Sequence, residues 1–223
     1  DTWFWGQLGD SLAHKLNVPI LFYSAAFGGS NMRQTYMAAY DIPFAHGFIK
    51  YWQRMPYVNI RNTIKKYVPM TGIRAVLSGH GVNDGGSTTA EFRDHYQQVI
   101  QKSRLEANFP NLAWMVAIAA YINGIQHHLV DAQWQVINND PHVFQGGNLN
   151  NIGNSGRYDN LHFNALGQRL AAQYWNNAIT ESVLGQIAAM APQVVALPLN
   201  PLPDAGLDQA LECSTTSLQA NNI

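Results

Sequence analysis

Apolar positions recur along this chain at two different periods, and the switches between them lay out helices and short strands. Trp5, Leu8, Leu12 and Leu16 stand three and four residues apart, which predicts an amphipathic helix over residues 3–16 closed by Asn17-Val18-Pro19. The short apolar run Ile20-Leu21-Phe22-Tyr23 reads as a buried parallel strand ending at Phe27-Gly28-Gly29-Ser30. A mostly polar helix is expected from Met32. Residues 41–58 carry many aromatics and two prolines without a period, as an insertion or rim loop would. Val58 to Tyr67 predicts a helix that stops before Pro69. Ile73 to Ser78 reads as a second strand leading into Gly79-His80-Gly81-Val82-Asn83-Asp84-Gly85-Gly86. Thr88 and Thr89 then cap a long helix with Phe92, Tyr96, Val99 and Ile100 as its stripe. Leu112 to Ala119 is a near-continuous apolar run, a third strand, and residues 125–138 read as helix. Residues 139–158 are rich in Asn and Gly and are expected to be irregular. Strands alternating with helices predict an α/β fold, a three-layer α/β/α sandwich around a parallel sheet, with its site at the carboxyl ends of the strands.

Composition narrows the picture. The 223 residues are 47% apolar and only 12% charged, with a net charge of −1. That leaves room for one sizeable core and argues against a nucleic-acid footprint. No apolar run approaches the ~18 residues of a membrane helix. The chain opens at Asp1 without an initiator Met or signal peptide, as expected of a processed protein or of a fragment of a longer one. The main domain is placed at residues 1–191. The Pro/Leu-rich residues 192–203 read as a linker, and residues 204–223 as the opening of a second, β-sandwich-like module. One cysteine, Cys213, has no partner in this sequence for a disulfide.

The chemistry concentrates in Asp159-Asn160-Leu161-His162, just before a further helix that takes in Gln168 to Trp175. An acid three residues before a histidine can hold one ring nitrogen and leave the other to take a proton from a hydroxyl nucleophile. On its own this spacing is common in loops. It gains meaning from two earlier strand ends, Gly28-Gly29 and Gly81-Val82-Asn83-Asp84.

Taken in this order, these blocks resemble the SGNH (GDSL-type) hydrolase family over roughly residues 3–180. The resemblance implies a flavodoxin-like SGNH-hydrolase fold, a catalytic Asp159–His162 pair, and an oxyanion hole formed by Gly29 and Asn83. It implies no cofactor and no metal. Within the family the chain is most similar to carbohydrate and sialate O-acetylesterases, which typically read Gly-(Val/Ile)-Arg-Ala-Val-Leu-Trp-His-Gln-Gly-Glu-Asn/Ser-Asp where this chain has Gly72 to Asp84. The departures from that pattern include Ser78, His80 and Val82, at the Trp, Gln and Glu positions.

Gly9-Asp10-Ser11-Leu12 spells the family's nucleophile signature, yet its setting argues against Ser11. A nucleophile should end a strand, and a crossover to the next parallel strand takes about a dozen residues. Only seven, Leu12 to Val18, separate Ser11 from Pro19. These residues fit better as the crossover helix itself, so the serine is expected upstream of Asp1.

Other features carry two readings. His80 is either a substrate contact beside Asn83 or a structural residue. Gly28-Gly29 is either a plain turn or part of the site. The aromatics Tyr36, Tyr40, Phe44, Phe48, Tyr51, Trp52 and Tyr57 are either a sugar-stacking rim or core. His127 and His128 diverge by about 100° on a helix, which disfavours a metal pair. The tail Asp204 to Asn221 resembles the start of immunoglobulin-like repeats of secreted Bacteroidetes surface proteins, which implies that Cys213 pairs beyond Ile223. The expected function is a secreted or cell-surface serine esterase that removes O-acetyl groups from carbohydrate, joined to further domains, without nucleic-acid partner or membrane span. A non-catalytic surface or adhesin module, and a lipid or thioester hydrolase of the same fold, are the alternatives.

Overall fold

The computed structural model describes residues 3–193 and begins with helix α1 (Phe4–Leu16). Phe4, Leu8 and Leu12 form its buried face, and Asn17 ends it in the left-handed conformation. The expected strand at Ile20–Tyr23 does not form. Residues 18–27 are irregular, and Leu21 is 64% exposed. An apolar run becomes a strand only when a neighbour completes its backbone ladder, and none does so among the described residues. Helix α2 (Met32–Ala39) follows, started by a capping box between Asn31 and Gln34. Residues 41–56 are mostly irregular around a 3₁₀ turn at Tyr51–Gln53. Helical structure then continues beyond the stop expected at Pro69, as α3 (Tyr57–Asn62), a wider π turn at Thr63–Tyr67 and α4 (Val68–Thr71). Pro69 falls in the first turn of α4, where its missing N–H is tolerated.

Strand β1 (Val76–Ser78) is shorter than its apolar run, because Ile73 instead bridges Met190 in antiparallel fashion. Helix α5 (Thr89–Ala107) starts at Thr88 with a capping box to Glu91. Strand β2 (Trp114–Ile118), helix α6 (His127–Asn138) and strand β3 (Val143–Asn148) follow. Strand β3 corrects the expectation that residues 139–158 lack regular structure. Helices α7 (Ala165–Ala178) and α8 (Glu181–Gln186) complete the described chain. The sheet has three parallel strands in the order β1-β2-β3, so this is an α/β fold, as expected.

Central strand β2 is buried along its whole length, and its side chains divide two cores. Trp114 and Val116 pack with Phe92, Tyr96 and Val99 of α5 and with Leu129, Ala132 and Val136 of α6. Met115 and Ala117 pack with Leu8 and Leu12 of α1 and with Ala171 and Trp175 of α7. Helices therefore cover both faces of the sheet. Gly146 and Gly147 let α7 lie directly on β3, since a Cβ on Gly146 would come within 2.6 Å of the Trp175 ring and one on Gly147 within 2.9 Å of the Trp175 nitrogen.

Because the strands are parallel, all three end on one side. The segments after them, 79–84, 119–121 and 149–157, converge there, where the sequence places its candidate chemistry. No helix among the described residues is long and apolar enough to cross a membrane. Most of the expected linker, the tail module at 204–223 and Cys213 lie outside the described residues.

Candidate active site

His162 sits on a short loop closed by a bridge between Arg157 and Phe163. Asn160 takes the left-handed conformation that turns this loop, φ 61°, which suits an asparagine. Asp159 Oδ2 lies 2.7 Å from His162 Nδ1, while Oδ1 accepts from the backbone N–H groups of His162 and Leu161 at 2.6 and 3.1 Å. The His162 side chain, then its backbone N–H, hold the Asp159 carboxyl down at about 2, so it is ionised throughout the neutral range. Tyr158 stacks on the imidazole at 5.6 Å. With Nδ1 engaged and the side chain 56% exposed, the other nitrogen, Nε2, is left for chemistry.

Neighbouring residues hold this loop in place. Arg157, only 8% exposed, donates to the carbonyls of Ile152, Leu149 and Leu161, and its guanidinium lies over the rings of Tyr121 and Phe163. Asn164 caps α7 through the N–H groups of Leu166 and Gly167 and donates to Ser155 O at 2.8 Å. Gly167 packs against the Gly156 carbonyl so closely that no Cβ fits.

The second group forms where two loops meet. Gly29 has φ 74°, and the ring of Phe48 stands 2.8 Å from where its Cβ would lie. Its N–H takes no acceptor among the described residues. Asn83 donates one amide hydrogen to Ser30 O at 3.2 Å, which orients the side chain and leaves its second hydrogen free. One residue on, the buried Asp84 accepts from Met32 N–H at 2.7 Å through Oδ1. Two bonds thus staple the Gly29 loop to the turn after β1.

No family model, curated protein or solved structure matches this chain. The structure pairs Asp159 with His162 and joins the Gly29 loop to Asn83, both at the carboxyl edge of the sheet. Ser11 belongs to neither group. It lies on the exposed face of α1, and its hydroxyl donates to Gln7 O of the same helix at 2.9 Å. The aromatics of the rim segment divide: Tyr57 is core, whereas Trp52 and Phe48 are 72% and 54% exposed. Among the described residues no group of His, Cys, Asp and Glu comes together to hold a metal. Sequence reading missed the roles of Arg157, Asn164 and Asp84. A buried arginine beside a candidate histidine loop was the available signal for the first, and Asn directly before a helix for the second.

Burial also shapes a second acid and histidine. Asp84 is raised to about 6, chiefly by burial, against the lowering pull of the Met32 and Gly81 backbone bonds; burial lowers His80 to about 4. Folded Asp84 keeps its proton to higher pH than the unfolded chain does, so its contribution to stability falls as pH rises from about 4 to 6. Folded His80 releases its proton early, so its contribution grows between about 4 and 6.5. The two slopes oppose each other and largely cancel between about 4 and 6. Asp84→Asn should uncover the histidine, with stability rising by up to about 3 kcal/mol over that window. His80→Gln should uncover the acid, with stability falling as pH rises. Urea unfolding at pH 4, 5 and 6.5 reads both slopes, and flat profiles in both variants would contradict this assignment.

Proposed function

We propose that this domain is a serine esterase of the SGNH type, acting on O-acetyl groups of carbohydrate as part of an exported protein. The Asp159–His162 pair carries the reading: a carboxylate on Nδ1 fixes the tautomer in which Nε2 can accept a proton. In the proposed reaction, a serine Oγ attacks the acetyl carbonyl as Nε2 of His162 takes its proton. The oxyanion is met by the Gly29 N–H and the free amide hydrogen of Asn83. His162 then gives the proton to the departing sugar oxygen, and a water, activated by the same nitrogen, hydrolyses the acetyl-enzyme. Loss of one oxyanion donor typically costs about 10²–10³ in rate.

The exposed helical position of Ser11 supports a nucleophile outside residues 1–223. The sheet supports it as well. Among the described residues β1 pairs only with β2, so its other edge is open. Ile20 packs against the same core as Ala75 and Leu77, yet the run from Ile20 to Tyr23 has no strand partner among the described residues. A parallel strand laid along the edge of β1 would end at the carboxyl side, near Asn83, where the nucleophile belongs. It would also complete the ladder that the exposed run lacks.

The exposed Phe48 beside Gly29, with Trp52 on the same segment, favours a sugar over a long acyl chain, because aromatic faces on an open rim stack on sugar rings without enclosing a tail. The polypeptide containing this domain should hydrolyse acetyl esters with a kcat/KM at least about tenfold above decanoyl esters, a difference of about 1.4 kcal/mol. A preference for the longer chain would favour a lipid or thioester hydrolase.

A further inference from the structure

Asp84 Oδ2 is buried and has no hydrogen-bond partner, although Oδ1 of the same carboxyl is bonded to Met32 N–H. A buried carboxyl oxygen without a partner is costly and calls for an explanation. The ionisable side chain that faces it is His80, whose Nδ1 stands 4.0 Å from Oδ2. That is less than about 1 Å beyond hydrogen-bonding range. The two sides of the pair differ sharply in access. The Asp84 side chain is fully buried, whereas 26% of the His80 side chain is open to solvent. Both belong to the turn that carries Asn83, at the carboxyl edge of β1.

We propose that His80 and Asp84 form a second acid–histidine pair in the candidate site, in which Asp84 positions His80 and sets whether its Nε2 donates or accepts a hydrogen bond to a substrate oxygen or hydroxyl beside Asn83. When the pair holds its shared proton, two arrangements are open. Either the carboxyl O–H donates to Nδ1 of a neutral imidazole, or the carboxylate faces an imidazolium. Nε2 carries hydrogen in both and is a donor. When that proton leaves to solvent, the carboxylate takes Nδ1–H, and Nε2 becomes an acceptor. Burial raises the Asp84 carboxyl to about 6, which places this change in the mildly acidic range. The groups packed around the pair do not compete for it. Tyr96 of α5 meets the His80 ring edge-on at 6.3 Å, is itself raised by burial and donates to Ser78 of β1 at 2.6 Å. The Met32 N–H of α2 and the Gly81 N–H of the turn itself face the carboxyl, and from α6 comes the neutral Gln133 amide, which donates to the His80 carbonyl at 2.7 Å.

The esterase reading enters only in what Nε2 would touch; the pair can be read without turnover. Long-range ¹⁵N NMR of the His80 ring, on the 223-residue chain, distinguishes a hydrogen-bearing nitrogen from a bare one. Between pH 5 and 7.5, Nε2 should change from hydrogen-bearing to bare. In Asp84→Asn the Oδ1 atom still accepts from Met32, so the amide NH₂ faces Nδ1 and Nε2 should keep its hydrogen throughout. Retention of hydrogen on Nε2 across the range in the wild-type protein would overturn the proposal, and so would an unchanged transition in Asp84→Asn. The wild-type titration decides even if the variant folds poorly, and neither outcome depends on whether His162 serves an esterase.

Discussion

Replacing His162 by alanine, in the polypeptide that contains this domain, is expected to lower kcat/KM for an acetyl ester by about 10²–10⁴-fold, the usual contribution of a positioned general base. The fold should survive. The His162 side chain is more than half exposed, and its loop is held by Arg157, Asn164 and the Arg157–Phe163 bridge rather than by the imidazole. The loss should appear mainly in kcat, because Nε2 acts on the serine proton and not on the bound acyl group. Undiminished turnover would remove His162 from the chemistry and with it the esterase proposal.

Gly81→Ala is expected to destabilise the fold by about 3–5 kcal/mol, near the upper end for a single substitution. Two independent obstacles meet there. Gly81 has φ 146°, a conformation open essentially to glycine alone, and a Cβ would run into the Ala119 carbonyl and within 2.7 Å of Gln133 Nε2. Backbone cannot step aside as the end of a flexible side chain can. The same contact locks the turn after β1 to the end of β2, so a protein that still folds should misplace Asn83 and lose activity as well. Gly86 has no atom within 4 Å of its Cβ position, which makes Gly86→Ala the matched control, expected within about 0.5 kcal/mol of wild type. Equal urea midpoints for the two variants would contradict this account of the turn.

How much could be read from the sequence depended on how local each feature is. Helices α1, α5 and α6 were legible because their apolar stripes and the Thr88 cap lie within the segments themselves. The run Ile20–Tyr23 misled because strand formation depends on a neighbouring backbone, which composition does not reveal. Strand β3 hid behind Gly146 and Gly147. Glycines usually weaken a strand, but here they make room for Trp175 and the backbone of α7. The Asp159–His162 pair could be proposed from spacing, since both residues share one short loop. The contacts of Asn83 with Ser30 and of Asp84 with Met32 could not, because each spans more than fifty residues. Asp84 shows the difference most clearly. In sequence it is half of an ordinary Asn-Asp turn; in the fold it is a buried carboxyl with one oxygen bonded across to α2 and the other facing His80.

In the proposed reaction His162 activates a serine outside residues 1–223 of the same polypeptide. Labelling that polypeptide with a fluorophosphonate and mapping the modified peptide by mass spectrometry decides whether it does. The expected label sits on one serine outside this segment and is strongly reduced in His162→Ala. A label on Ser11, or labelling that His162→Ala leaves unchanged, would contradict it.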